Sequence, residues 1–128
     1  MEGPLVGYRI LDLTSNITGP LATMILGDQG ADVIKVEKPG IGDHVRAAGK
    51  KGNGLSVPFL NNNRNKRSIV IDLKTNLGRE LVLKLAVEAD VFVQNFRSGV
   101  VERIGVSEKD IREVNPNIIY VSISGFGE

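Results

Sequence analysis

The chain has 128 residues, a usual length for one domain, and its 41% hydrophobic and 24% charged content is that of a globular protein, which excludes a disordered or collagenous chain. Its formal net charge is +1, it has no cysteine, and His44 is its only histidine. Disulfides, thiolate chemistry and a histidine-built metal site are therefore excluded, and a hydrolase triad would have a single candidate base set in a Gly-flanked basic loop, so His44 reads as a loop residue. Nothing approaches a membrane span, and MEGPLVGYRI lacks the basic start and apolar core of a signal peptide, which makes a cytoplasmic location the expectation.

Residues 8–13, YRILDL, alternate enough to form a first strand, fed by a turn around Pro4 and Gly7. TSNITGP breaks the pattern, and Pro20 opens a helix through LATMILGDQG that Gly27 and Gly30 help to end. Dinucleotide folds hold phosphate at such a first strand-to-helix turn. Here the G-x-G-x-x-G spacing is missing, which removes the main support for a nicotinamide or flavin reading.

The stretch 30–43, GADVIKVEKPGIGD, carries a second strand at Val33, Ile34 and Val36, ended by Pro39, Gly40 and Gly42. Ligands of open α/β sheets bind at the carboxyl ends of strands, so Glu37, Lys38 and the loop to Arg46 form a candidate rim. An ordinary surface turn explains the same residues. A long Gly- and Lys-rich connection, 38–58, follows, and loops of that length are commonly functional or mobile. In PFLNNNRNKRS, Pro58 and Phe59 start one helical turn, while Arg64, Lys66 and Arg67 must face solvent, carboxylates or a bound anion.

Residues 68–73, SIVIDL, read as a third strand apolar enough at Ile69, Val70 and Ile71 to be covered on both faces. Thr75 then caps a helix over 75–89, with Leu77, Leu81 and Leu85 at helical spacing as its core stripe. A short fourth strand at 91–93 leads into Gln94, Asn95, Phe96 and Arg97. Two short helices are expected next, one over 100–104 and one capped by Ser107 and stopped by Asn115 and Pro116. A fifth strand spans 118–123. This rhythm predicts a doubly wound parallel α/β sheet in one domain over 1–128.

Charge is unevenly placed along that domain. Between residues 35 and 74 lie nine Lys or Arg (35, 38, 46, 50, 51, 64, 66, 67 and 74) against three acids (37, 43 and 72). A local cation surplus suggests an anionic partner, and the single aromatic of the segment, Phe59, provides no stacking platform for nucleic acid. Lys38, Lys74 and Asn95 to Arg97 each follow a strand, and parallel strands share one carboxyl edge. These residues can therefore meet one anionic ligand, although solvation explains each cation singly.

PLVGYRILDLT, GPLATMILGDQGADVIKVEKPGIGD, FLNNNRNKRSIVIDLKT, QNFRSGVVERIG and NPNIIYVSISGFG, in that order, resemble the family III CoA-transferases, which include formyl-CoA and carnitine CoA-transferases and the related 2-methylacyl-CoA racemases. The KVEKPGIGD and NRNKRSIVIDLKT segments look more like the transferase branch. The resemblance implies a Rossmann-like, CoA-binding amino-terminal part of a longer enzyme, an interlocked homodimer that acts on an acyl-CoA and a carboxylic acid without a metal. Carried over by position, its coenzyme A contacts fall on Ile17, Thr18, Lys38, Ile71, Lys74, Asn95, Phe96, Arg97 and Arg103. Ile17 stands where formyl-CoA transferases have glutamine, Gln94 and Ser98 replace the glutamate and proline of the ENFRPG motif, and Lys38 corresponds to a frequent arginine. The family's nucleophilic aspartate matches no residue of this chain, so no catalytic residue is expected within it, and the small domain is expected to lie outside it. A racemase and a non-catalytic CoA-binding or assembly module remain the alternative readings.

Overall fold

The computed structural model describes residues 2–127. Its main sheet has five parallel strands: β1 (Arg9–Asp12), β2 (Asp32–Glu37), β5 (Lys66–Val70), β6 (Val91–Gln94) and β7 (Ile119–Ser122), in the order β5-β2-β1-β6-β7. Counting only these strands, the order is 3-2-1-4-5, that of doubly wound sheets, and it reverses between β1 and β6. A two-stranded antiparallel hairpin, β3 (Lys51–Gly52) and β4 (Leu55–Ser56), sits inside the long connection that the sequence left without structure.

Period-two alternation divides the strand residues between two cores. Leu11, Leu13, Ile34, Val36 and Phe92 pack on α3 (Asn76–Val87) and α5 (Glu108–Val114), together with Ile71, Val106 and Ile118. Ile10, Val33 and Val93 face the other way, with Ala31 and Leu26 of α1 (Thr18–Asp28). Phe92 also stacks on Tyr120, ring centroids 5.1 Å apart. A short helix α2 (Val57–Asn63) packs beside α1, and α4 (Val100–Ile104) leads into α5. Ser107 and Asp110 cap α5 reciprocally, each side chain bonding the other's main-chain N–H, so the predicted start is realised.

Two packing expectations are corrected. The strand expected at 68–73 begins two residues earlier and stops at Val70. It is an edge strand on which Ile69 is 38% and Val70 63% exposed, so it is not covered on both faces. On α3 the leucine stripe is not the buried one. Gly78, Val82 and Ala86 face the sheet, while Leu77 and Leu81 are exposed. Small residues let the helix backbone come close: a Cβ on Gly78 would lie 1.9 Å from the carbonyl oxygen of Asp72.

Candidate functional site

All five strands run the same way, so their carboxyl ends open on one edge. Besides a cavity of about 670 Å³ beside the ends of β6 and β7, two cavities there hold residues expected from the sequence. One, of about 240 Å³, is walled by Thr14, Ser15, Lys35, Glu37, Lys38, Asp43, His44 and Phe96, among others. The other, of about 560 Å³, lies between the start of α3 and α4 and includes Lys74, Thr75, Arg79 and Arg103. Leu73 borders both, so they are neighbours on the rim.

Beneath the first cavity the sheet carries buried charge on its α1 face. Asp12 is fully buried and accepts from the main chain and hydroxyl of Thr14, from the Thr23 hydroxyl and from Lys66 Nζ at 3.0 Å. Burial lowers the Lys66 pKa, and Asp12 partly offsets that effect. Lys35 Nζ donates to the Thr14 carbonyl at 2.9 Å and lies 2.9 Å from Asp43 Oδ2, an ionic contact outside hydrogen-bond geometry. Asp43 Oδ1 accepts from the N–H groups of Asn16 and Val45. The carboxylate thereby ties the loop after β2 to the turn after β1. Asn16 holds that turn in the left-handed region, φ 68°, which an asparagine tolerates better than most residues.

Glu37 lies in the same layer and lines the smaller cavity with its charge already matched. Burial alone would raise its pKa, but Arg46 bonds it bidentately at 2.6 Å, and the Asp43 N–H and Ser68 hydroxyl add to this, holding it at about 2. Arg46 also stacks over the Phe59 ring at 3.8 Å. Arg64 pairs with Asp28 and Arg67 with Asp32. Five of the nine cations between residues 35 and 74 (Lys35, Arg46, Arg64, Lys66 and Arg67) therefore have carboxylate partners within the chain.

Lys38, Lys74, Arg97 and Arg103 are different: all are exposed, and among the described residues none has a carboxylate partner. Lys38 and Phe96 share the smaller cavity, and Lys74 and Arg103 the larger. Arg97 stands beyond the end of β6 and lines neither. Ile17 and Thr18 begin α1 on the same edge, and Ile17 gives the helix no side-chain cap. Two of the residues carried over by position present something other than an exposed side chain. Ile71 is 3% exposed within the larger core, so only its main chain can meet a ligand. The Asn95 amide exchanges two hydrogen bonds with the main chain of Ser15, at 2.9 and 2.8 Å, and acts as a brace for the β1 turn.

Sequence reasoning missed Lys35, Asp43, Asp12 and Lys66 as parts of the site's foundation. A signal existed in DVIKVE, where a lysine follows three strand residues and precedes a valine in a buried run, a position that requires a partner. Gln94 is likewise a support: its Nε2 donates to Ser122 Oγ and its Oε1 accepts from the Phe96 N–H.

With this geometry in place, comparison with known proteins is direct. CoA-transferase family III matches residues 5–128. The chain is 49% identical over 126 residues to mouse succinyl-CoA:glutarate CoA-transferase, covering 98% of this chain and 29% of that protein. It is 45% identical over 128 residues to formyl-CoA:oxalate CoA-transferase of Afipia carboxidovorans, covering 99% of this chain and 30% of that protein. The crystal structure of Rv3272 from Mycobacterium tuberculosis superposes with a TM-score of 0.92 at 43% identity, covering 98% of this chain and 36% of that one. The chain thus spans about a third of the length of these relatives. A match over 124 residues, a relative at 49% identity and a shared parallel sheet lead to one conclusion: the chain belongs to CoA-transferase family III.

Proposed function

We propose that this chain is the coenzyme A-binding amino-terminal part of an acyl-CoA:carboxylate CoA-transferase. The observation that carries the reading is the division of the cations. Lys35, Arg46, Arg64, Lys66 and Arg67 are matched by carboxylates within the chain, whereas Lys38, Lys74, Arg97 and Arg103, like Lys50 and Lys51 at the hairpin, have none among the described residues, and these four lie on or beside the edge where ligands of parallel sheets bind. Coenzyme A carries a diphosphate and a ribose 3′-phosphate, and several unpaired cations along one rim match that charge. The names of the relatives, succinyl-CoA:glutarate and formyl-CoA:oxalate CoA-transferase, support a thioester donor and a carboxylate acceptor.

In this reading the chain's own residues bind and orient. The larger cavity, with Lys74 and Arg103 beside the amino-terminal end of α3, takes a phosphate group. The smaller cavity, with Phe96 and Leu73 as its apolar wall and Lys38 at its mouth, takes a flatter portion of the carrier together with a second charge. Transfer then exchanges one thioester for another: the donor's acyl C–S bond breaks and its carbonyl carbon gains a carboxylate oxygen, while the acceptor's carboxyl carbon gives up one C–O bond and forms the new C–S bond, so that the donor leaves as its carboxylate. In this reading no residue of this chain is the attacking carboxylate, and two copies of the enzyme pair as a homodimer.

Titration calorimetry of coenzyme A with the full-length protein tests the proposal. Lys74→Ala and Arg103→Ala are each expected to weaken binding about tenfold, which corresponds to about 1.4 kcal/mol. Unchanged affinity in both variants would overturn it. Exchange of the substrate's α-proton with solvent, without transfer to a free acid, would instead identify a racemase.

A further inference from the structure

By its sequence His44 reads as a loop residue, yet it lines the smaller cavity with its ring against Lys38. Its Nε2 is 3.1 Å from Lys38 Nζ. An ammonium group has only donors, so Nε2 accepts in this contact and the ring proton is on Nδ1. The arrangement allows two states. In the first, a neutral imidazole holds the lysine by one hydrogen bond. In the second, the imidazole is itself a cation, cannot accept, and repels the ammonium 3.1 Å away.

The charges around this pair decide which state an incoming anion favours. Lys38 follows β2, and Lys35 and Glu37 lie on β2 within the same cavity wall; Asp43 immediately precedes the ring. Three of these are already matched: Lys35 faces Asp43, and Glu37 is bound by Arg46. The facing walls contributed by Leu13, Leu73 and Phe96 are apolar and bring no charge. Lys38 and His44 are thus the two groups at the mouth whose charge no carboxylate balances. An anion seated between them would relieve their mutual repulsion, and imidazole is the side chain that gains a proton most readily near neutrality.

We propose that His44 is a further ligand-contacting residue of this site, gaining a proton at Nε2 as an anionic group of the ligand seats against Lys38. The step balances: the Lys38 N–H turns from Nε2 to the anion, a proton from solvent occupies the vacated lone pair, and the new Nε2–H donates to the same anion. It rests on the coenzyme A reading and adds to it a proton that crosses with the ligand.

The test is titration calorimetry of coenzyme A with the full-length protein at pH 7, in two buffers that differ in ionisation enthalpy. The buffer dependence of the heat gives the protons taken up. The unmodified protein is expected to take up a fraction of a proton more than His44→Gln, because glutamine keeps the hydrogen bond to Lys38 and cannot be charged. His44→Asn serves as the second variant and is expected to behave like His44→Gln. Ionisation of the ligand's own phosphates is common to all three proteins and cancels in the difference. Equal uptake in the three proteins would overturn the role of His44 while leaving coenzyme A binding intact. Failure of the unmodified protein to bind coenzyme A would overturn the site reading, and this inference with it.

Discussion

Lys35 and Asp43 form an ion pair that solvent does not reach: Nζ and Oδ2 are 2.9 Å apart, and the side chains are 2% and 1% exposed. The pair joins the middle of a central strand to the loop that carries His44 and Arg46, so it fixes where that loop sits over the smaller cavity. Lys35→Met leaves a buried carboxylate without its cation and is expected to lower stability by about 3–5 kcal/mol. Denaturant unfolding measures this. The double variant Lys35→Met/Asp43→Asn should recover part of the loss, since the asparagine oxygen can still accept from Asn16 and Val45; no recovery would show that the orphaned charge is not the cause.

Acid should loosen the same loop from its other side. The folded Glu37 carboxyl is held at about 2 against an ordinary value of 4.5, so the unfolded chain binds this proton first as the pH falls. The stabilisation is therefore complete above about pH 5 and is lost between about 4.5 and 2, and its size is of order 3 kcal/mol. Urea unfolding at pH 6 and pH 3 should show the gap between the unmodified protein and Glu37→Gln shrinking in acid. A gap independent of pH would contradict the assignment.

Gly78 is where α3 meets the turn that carries Lys74. An added Cβ would stand 1.9 Å from a main-chain oxygen of Asp72, which cannot rotate away. Gly78→Ala is expected to destabilise the protein by about 2 kcal/mol or more, despite alanine's better helix propensity. Thermal unfolding reads that cost, and calorimetry should show weaker coenzyme A binding as Lys74 is displaced.

Asn95 offers a contrast between bracing and binding. Asn95→Ala removes both hydrogen bonds to Ser15 and is expected to cost about 1–3 kcal/mol. Amide exchange at Ser15 should accelerate. Coenzyme A affinity should fall with no change in its salt dependence, because no charge is altered, whereas Lys74→Ala should reduce that dependence. Lost affinity with unaltered amide exchange at Ser15 would place the amide on the ligand instead.

The succession of the sheet strands along the chain was legible from β-branched and alternating runs, and Ser107 with Asp110 announced α5 as any capping box does. The shared carboxyl edge followed from strand direction alone. What could not be read was which residues neighbour which. Lys66 and Asp12 are 54 positions apart, and only the β5-β2-β1 order brings them together; the same holds for Arg67 with Asp32. A cation count therefore overstated the charge available to a ligand. The leucine stripe of α3 misled for a related reason: helical spacing identifies a face, but the close approach at Gly78 and Ala86 decides which face the sheet accepts.

The two sides of the sheet are made of different material at their carboxyl ends, hydrocarbon under α3 and matched ions under α1. Methylene groups can be exchanged singly with graded effect, but an ion pair can be altered only by replacing both members together. Mutational tolerance should accordingly be lopsided. A saturation library should accept many single replacements around Val82 and Ile111 and almost none at Asp12, Lys35, Asp43 and Lys66. Engineering of ligand contacts would then begin with the exposed cations and His44, leaving the ionic floor untouched.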